Sequence, residues 1–297
     1  MQLYSTTRDS LWHLLGELPA RLVPAASPFA LDCCHGEGMW WQSVLDFGPY
    51  WETCVIEAHA RSSQFDRLIR ATGLDGGVVA LARLGDGFYG QNGRCWETLD
   101  GNLFFCASMP VACGAGMELL RFVPCLAVCD AIMAVVPQAN PGTKWVNDVF
   151  CLDAKLAGCL SSLRACREGM RFVVGIGLNI VRAPVLGSEA PATACLAAFD
   201  GLWRHDSARC AAIVRALCGA LENWLVQWRR DPEAIWRGYL ERQCCLNREV
   251  RLQSDVPPHD VLAQGVLRHI DRDFRLWVDG KAYANARCCF SREASFP

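Results

Sequence analysis

The residues best suited to chemistry lie in one largely apolar stretch, 142–158, which carries Lys144, Asn147, Asp148 and Lys155. A lysine within an apolar strand is costly to bury unless an anion meets it. An ammonium group can bind a carboxylate and a phosphate together while they react, and a neighbouring aspartate can hold Mg²⁺ against a triphosphate. The stretch therefore predicts an anion-binding site around Lys144. The alternative is a lysine held in a salt bridge at a strand edge.

A glycine-rich loop is the second candidate. Four glycines fall within 85–94, among them Gly90 and Gly93, and Arg94 and Trp96 close the loop. Such a loop lets the backbone approach a phosphate or an adenylate closely. No helical pattern follows it directly, which argues against a Rossmann dinucleotide site, and it lacks the lysine and hydroxyl residue that end a P-loop. Alone, the loop is equally consistent with a flexible surface hairpin.

The third candidate is the strongest strand pattern in the chain, 172–180, which contains Gly175, Gly177 and Asn179. Glycines inside a buried strand often mark a place where a ligand or another backbone lies against it. Asn179, at the end of the strand, can hydrogen-bond a ligand or cap the following turn. For the glycines, the alternative is a bulge or packing under a helix.

The elements that position these residues follow from the hydrophobic periodicity. Alternating patterns predict strands that begin near Thr53, Gly77 and Asn102. Helical patterns cover 62–70, 119–135, 207–230 and 232–242. Beyond these helices the period changes to that of four or five short strands separated by turn residues. The predicted fold class is α+β, a mixed sheet with flanking helices followed by a small β-domain.

The predicted organisation has three parts: an N-terminal extension over 1–50, a main domain over 51–242 and a β-domain over 243–297. The extension contains a helical pattern from Ser10 to Leu18. It shows no helix-turn-helix or winged-helix pattern, so DNA binding is not expected. We expect the extension to pack on the main domain.

The composition narrows the class of protein. Of the 297 residues, 52% are hydrophobic and 20% are charged, and the formal net charge of -2 gives no basic surplus that would draw the chain onto nucleic acid or an acidic membrane. No apolar run reaches the length of a membrane span. The 18 cysteines lie in apolar runs or adjacent pairs, without the CxxC spacing of zinc sites. Reduced, buried thiols and a cytoplasmic location are therefore predicted, with a mitochondrial location as the alternative.

The motifs occur in the order found in biotin protein ligases, and the chain resembles that family over about residues 53–290. Lys-Trp-Val-Asn-Asp at 144–148 resembles the family's Lys-Trp-Pro-Asn-Asp, with Val146 in place of proline. Ser-Ser-Gln at 62–64 resembles its Ser-Thr-Asn, and 93–96 resembles its Gly-Arg-x-Trp. Further similar motifs are Gly101-Asn102-Leu103, Lys155-Leu-Ala-Gly158, Gly175-Ile-Gly-Leu-Asn179 and Ala192-Thr-Ala-Cys-Leu196. Several motifs in one order are far more specific than any one of them.

The resemblance implies a class II synthetase-like biotin/lipoate ligase domain and a C-terminal SH3-like β-barrel. It also implies an activity: biotin and ATP form biotinyl-AMP with release of pyrophosphate, and the biotinyl group then passes to a lysine in the carrier domain of a biotin-dependent carboxylase. The resemblance does not fix the oligomeric state.

The resemblance also implies roles for individual residues. Lys144 would bind the biotin carboxylate and the α-phosphate as the catalytic lysine. The biotin pocket would be formed by Ser62, Ser63, Gly175 and Gly177. ATP and the adenylate would be held by Gly90, Gly93, Arg94, Trp96, Asn147 and Asn179, and Asp148 would assist Mg²⁺. No covalent enzyme nucleophile is required.

One part of the chain departs from the family pattern. The family's loop is normally Gly-Arg-Gly-Arg-Arg-Gly-Arg. Aligned on the downstream tryptophan, this chain has Tyr89, Gln91 and Asn92 at arginine positions. Aligned on the glycines, it has Asp86, Phe88, Tyr89 and Gln91 there, and in either alignment most of the arginines are replaced. The missing cations predict weaker retention of the acyl-adenylate. Two alternatives to an active biotin ligase therefore stay open. One is a ligase for lipoate or another acyl group on the same fold, and the other is a family member that binds a carrier domain or nucleotide without turnover.

Overall fold

A ten-stranded mixed sheet forms the centre of the main domain. The computed structural model describes residues 1–6, 23–25, 40–44, 50–74, 76–166, 169–186, 191–204, 207–255 and 257–290. The strands of this sheet are β1 (Gln2–Ser5), β2 (Val23–Ala25), β3 (Trp40–Val44), β4 (Trp51–Ala60), β5 (Gly77–Gly85), β6 (Leu103–Val111), β7 (Gly142–Lys144), β8 (Asp148–Cys151), β9 (Ala154–Cys166) and β10 (Gly169–Leu178). Their order is β2-β3-β1-β4-β5-β6-β10-β9-β8-β7. β4 runs parallel to β1 and β5, and the other neighbours are antiparallel.

The N-terminal segment contributes strands to this sheet. β1 lies between β3 and β4, and β2 lies at the edge beyond β3. The described part of 1–50 is thus continuous with the sheet of the main domain, whereas the sequence suggested an extension packed on it. The helix predicted from Ser10 to Leu18 lies outside the described residues.

The sheet is covered on both faces, because successive strand residues point to opposite sides. Val79 and Leu81 of β5 pack in the larger core, whereas Val78 and Ala80 pack with α1 (Gln64–Arg70). Strands that are buried on both faces read as nearly continuous apolar runs. This explains why these strands were readily predicted from the sequence.

The helices of the larger core are α2 (Val123–Val135), α3 (Ser207–Arg230) and α4 (Glu233–Glu241). The last two agree closely with the predicted 207–230 and 232–242. The predicted helix over 119–135 instead begins as a 3-10 segment, Met117–Phe122. Pro124 lies in the first turn of α2, where its missing N–H is not needed.

The C-terminal strands form a separate five-stranded antiparallel sheet. They are β11 (Glu249–Ser254), β12 (Val261–Ile270), β13 (Leu276–Val278), β14 (Lys281–Tyr283) and β15 (Ala286–Phe290), in the order β14-β13-β12-β11-β15. The predicted β-domain is confirmed as a sheet, and its closure into a barrel stays a prediction. Arg248 joins it to the main sheet through an ion pair with Asp153, in which Nη2 and Oδ2 are 2.6 Å apart.

The described part of the chain holds its cysteines as free thiols. Burial raises the pKa of Cys54 and of Cys106 to about 12, so both thiols stay protonated near neutral pH. Among the described helices, none is both long and apolar enough to cross a membrane.

Candidate functional site

A cavity of about 430 Å³ opens beside the N-terminus of α1. Residues of α1, β6, β8, β9 and β10 line it, together with the glycine-rich loop and the segment that follows β10. The cavity thus brings together the three candidate regions that lie far apart in the sequence.

Glycines on two neighbouring strands make room for an indole in this cavity. Gly158 of β9 and Gly177 of β10 are directly opposite each other. A Cβ atom would come within 2.6 Å of the Trp96 ring at Gly158 and within 2.4 Å at Gly177. At Gly175 it would come within 3.1 Å of Phe65. The glycines therefore permit close approach, as the sequence indicated, and Trp96 occupies part of the space they leave.

Lys155 is the lysine that reaches the cavity. Its Nζ lies 2.6 Å from Oδ1 of Asp148 and 5.3 Å from the centroid of the Trp96 ring. Burial raises the pKa of Asp148, but the charges of Lys155 and Lys144 outweigh this and hold that pKa below its usual range. The site therefore holds an ionised carboxylate and an ammonium group side by side at the cavity wall.

Lys144 is placed differently from the prediction. It is 4% exposed and is absent from the cavity lining. It lies opposite Asp148 across the β7–β8 hairpin, and its Nζ is 5.0 Å from the centroid of the Phe150 ring. Burial lowers the pKa of Lys144, but the negative charge of Asp148, and that of Cys245 in its thiolate form, raise this pKa above its usual range overall. The anion that accompanies the buried lysine is thus a residue of the protein itself.

Two asparagines fix the backbone around Lys155. Asn147 donates from Nδ2 to the carbonyl of Cys159 at 2.6 Å. Asn179 is 2% exposed and donates from Nδ2 to the carbonyl of Ala194 at 3.1 Å. Both residues line the cavity. Their amide groups are therefore at least partly used to hold the site together.

The motif residues around 101–103 and 192–196 support the same region. Oδ1 of Asn102 accepts from the backbone N–H groups of residues 180–182 at 3.0, 3.1 and 3.1 Å. The backbone N–H of Lys155 donates to the carbonyl of Ala192 at 2.8 Å. These contacts fix the segment that follows β10 against β9.

The glycine-rich loop folds over the cavity. Gly90, Arg94 and Trp96 line it, whereas Gly93, in the left-handed region with φ of 70°, forms the turn without lining it. Arg94 is exposed, and its Nε donates to the carbonyl of Gln91 at 3.1 Å. The one arginine of the loop is therefore directed to the loop itself.

The two serines before α1 differ in exposure and in their relation to the cavity. Ser63 is 7% exposed, lines the cavity and caps the helix, its Oγ accepting from the N–H of Asp66 at 3.3 Å. Ser62 is exposed and lies outside the cavity lining. Because the helix begins at Gln64, the residue before its N-cap points away from the site.

Sequence reasoning assigned no binding role to several cavity residues. Arg287 of β15 brings a cation from the C-terminal sheet, and Thr193, Phe88 and Tyr89 also line the cavity. No motif signals Arg287, since its position depends on how the C-terminal sheet packs against the main sheet. Lys155 was recognisable as a candidate, but choosing it over Lys144 requires the register of the β7–β8 hairpin.

No ready-made metal site is visible in the described residues. No group of three or more His, Cys, Asp or Glu side chains there is placed to hold a metal ion. Asp148, the predicted magnesium contact, is engaged by Lys155. A metal at this point would need ligands from a bound substrate.

Comparison with known proteins connects this site to a family. No protein-family model matches the chain. A biotin–[acetyl-CoA-carboxylase] ligase of Mycobacterium tuberculosis is 30% identical over 247 residues, which are 80% of this chain and 86% of that protein. A biotin–[acetyl-CoA-carboxylase] ligase of Paracoccus denitrificans is 35% identical over 137 residues, 45% of this chain and 57% of that protein.

Solved structures share the fold. The biotin protein ligase of Aquifex aeolicus in complex with biotin and ATP has a TM-score of 0.63 at 19% identity, covering 80% of this chain and 99% of that one. The Leishmania major enzyme in complex with biotinyl-5-AMP has a TM-score of 0.55 at 20% identity, covering 79% and 98%. The sequence identity across most of the mycobacterial enzyme, together with the shared fold, shows that this chain belongs to the biotin protein ligase family, whose members are enzymes of the ligase class.

Proposed function

We propose that this chain activates biotin with ATP and transfers the biotinyl group to a lysine in the carrier domain of a biotin-dependent carboxylase. The observation that carries the proposal is the placement of Lys155 in the cavity, between the Asp148 carboxylate and the Trp96 ring. The named relatives are biotin–[acetyl-CoA-carboxylase] ligases, which supports biotin as the acid.

In the first step, a carboxylate oxygen of biotin attacks the α-phosphorus of ATP and pyrophosphate leaves. Negative charge develops on the phosphoryl oxygens as the bond forms. An ammonium group held in a site of low water content stabilises such charge more strongly than it would in water. We assign this role to Lys155 in place of Lys144, because Lys155 lines the cavity and Asp148 keeps its position fixed.

In the second step, the acceptor lysine attacks the carbonyl carbon of the mixed anhydride, AMP leaves and the amine proton is lost. The cysteines that line the cavity need not form a covalent intermediate, and burial raises the pKa of Cys106 to about 12, which leaves it a poor nucleophile. The chain's task in this step is to hold the adenylate in place.

Ser63, Gly175 and Gly177 are our candidates for the biotin end of the cavity. The Ser63 hydroxyl can donate a hydrogen bond into the cavity while its oxygen accepts one at the N-terminus of α1. The adenylate would lie against Trp96 and near Gly90, Arg94, Asn147 and Asn179. Mg²⁺ is expected to arrive bound to the phosphates, with Asp148 as its candidate protein contact, since Mg²⁺ commonly uses one or two carboxylates plus substrate phosphates.

ATP–pyrophosphate exchange tests the proposal, with biotin, lipoate and octanoate offered separately. We expect exchange with biotin. Lys155→Ala should lower it by roughly 100- to 1000-fold, the usual effect of removing one charge-stabilising group. Lys144→Met should keep exchange activity, with circular dichroism and thermal unfolding as controls for folding.

The outcomes separate the alternatives. Exchange with lipoate or octanoate but not biotin would identify another acyl ligase of this fold. Exchange with no acid, from folded protein, would leave a binding protein without turnover, a reading that the arginine-poor loop favours. Loss of exchange in Lys144→Met but not in Lys155→Ala would return the catalytic role to Lys144. A cytoplasmic location remains part of the proposal, and fractionation of cells would check it.

A further inference from the structure

The glycine-rich loop is held in place by aromatic residues at positions next to Gly90. The hydroxyl of Tyr89 donates to Oδ1 of Asp66 in α1 at 2.5 Å. The ring of Phe88 packs edge-to-face on Phe104 of β6, with centroids 5.6 Å apart. Both side chains line the cavity. The loop is therefore tied to the sheet on one side and to α1 on the other.

Backbone contacts complete this closure. The N–H of Trp96 donates to the carbonyl of Phe88 at 2.9 Å, and the N–H of Gly90 donates to that of Arg94 at 2.7 Å. At the base of the loop, the N–H of Asp86 donates to the carbonyl of Ala60 at 2.9 Å. Each of these bonds joins two groups of the protein itself, so the chain's own contacts are sufficient to hold the loop over the cavity.

Within the described residues, the arginine of the loop does not tie the loop to the rest of the protein through a hydrogen bond. Arg94 bonds to a carbonyl within the loop, and Tyr89 occupies a position where the resemblance places an arginine. The link from the loop to α1 is thus a neutral donor on a carboxylate. Hydrogen bonds to charged groups are among the stronger ones in proteins, particularly when partly buried.

We propose that Tyr89 is the positioning residue of the loop: through Asp66 it holds the loop closed before substrates bind, and this preformed closure retains the acyl-adenylate in place of the missing arginines. The inference rests on the proposed function. Ordering the loop during folding removes an entropic cost that ligand binding would otherwise meet.

The first test is hydrogen–deuterium exchange of the full chain without ligand. The amides of Asp86, Gly90 and Trp96 should exchange slowly in the wild type and faster in Tyr89→Phe. Adding biotin and ATP should slow these amides more in the variant than in the wild type. Equal exchange in the two ligand-free proteins would overturn the proposal that Tyr89 keeps the loop closed.

The second test measures how fast biotinyl-AMP escapes into solution without an acceptor. We expect Tyr89→Phe to raise escape about tenfold, as loss of one hydrogen bond to a charged group would allow. The thermal midpoint of the variant should change little. Tyr4→Phe, which removes a tyrosine hydroxyl bonded to Gln2 away from the cavity, serves as the matched control.

A double-mutant cycle assigns the effect to the pair. Asp66→Asn keeps an oxygen that can accept a hydrogen bond from Tyr89, so it should release biotinyl-AMP more slowly than Tyr89→Phe does. Asp66→Ala removes the acceptor and should release biotinyl-AMP as fast as Tyr89→Phe. The double variant Tyr89→Phe/Asp66→Ala should release biotinyl-AMP no faster than either single variant. Additive effects would refute the link. Absence of exchange with any acid in the wild type would instead refute the proposed function and leave the amide-exchange test standing.

Discussion

Gly177 and Trp96 are the residues whose fit is tightest in the cavity. Gly177→Ala places a methyl group where the indole now lies, 2.4 Å away, so Trp96 must move. We expect kcat/KM for ATP to fall roughly ten- to hundredfold, because small displacements of positioning groups have effects of this size. Steady-state kinetics with ATP as the varied substrate measure this.

The control for that change is Gly219→Ala in α3. A Cβ there meets nothing within 4 Å, and alanine favours a helix by up to roughly 1 kcal/mol over glycine. This variant should keep wild-type kinetics and be slightly more stable. A wild-type kcat/KM for Gly177→Ala would show that Trp96 does not contact the nucleotide.

At the residue scale, the motifs and the family resemblance together pointed to several residues of the cavity. Ser63, Trp96, Asn147, Asp148, Gly175, Gly177 and Asn179 all line it. The two lysines could not be ranked from the sequence, since both flank a short hairpin and the burial of one depends on its register. Ser62 and Ser63 likewise differ only through the position at which α1 begins.

At the scale of elements, Cys95 reports on the glycine-rich loop. Cys95 and Cys113 are both exposed, but only the first of the two lines the cavity. We expect a thiol-alkylating reagent to modify both in the free protein, and biotin with ATP to protect Cys95 while Cys113 remains reactive. Peptide mass mapping measures each site. Equal protection of the two, or of neither, would contradict ligand binding beneath the loop.

The turn between β12 and β13 depends on one carboxylate. Oδ2 of Asp271 accepts from Nε1 of Trp277 at 2.8 Å and from Nε of Arg275 at 2.8 Å. Burial raises the pKa of Asp271, but these bonds outweigh it and lower that pKa from 3.8 to about 2. The stabilisation is present above pH 3.8 and is lost as the pH falls towards 2.

Asp271→Asn should therefore destabilise the protein by about 1 kcal/mol near neutral pH. The difference from the wild type should shrink as the pH falls below 3.8. Guanidinium unfolding at several pH values, followed by tryptophan fluorescence, measures this difference. A difference that stays constant down to the lowest pH would show that the ionised form of Asp271 contributes nothing.

The elements themselves were largely predictable. Clear periodicities occur in β4, β5, β6 and β10 and in α3 and α4, because each of these elements buries at least one continuous apolar face. The start of α2 was not predictable from the sequence, because a 3-10 segment and an α-helix have the same apolar spacing over one turn. The pairing of β1 with β4 was also not predictable, because a strand of four residues is too short to show a clear alternating pattern.

At the scale of the whole molecule, Arg287 links the two sheets to one cavity. It is half-buried, and the described residues offer it no ion-pair partner. We expect Arg287→Ala to raise the KM for ATP roughly tenfold with little change for biotin, because an unpaired cation beside a polyphosphate contributes a charge-assisted hydrogen bond. Arg268→Ala, in the same sheet but outside the cavity, should leave both KM values unchanged. An equal rise for both substrates in Arg287→Ala would indicate a general loss of packing.

The position of β1 has a consequence for any shortened form of the protein. Residues 2–5 pair with 53–56 of β4, and the N–H of Thr6 donates to the carbonyl of Ile56 at 3.1 Å. A chain that starts near residue 50 would lack β1 and would leave this edge of β4 unpaired. The unpaired edge would include Val55 and Ile56, which are fully buried in the whole protein. Long apolar edge strands recruit strands from other molecules. Such a fragment would therefore self-associate and precipitate through β4 even if its catalytic cavity were intact.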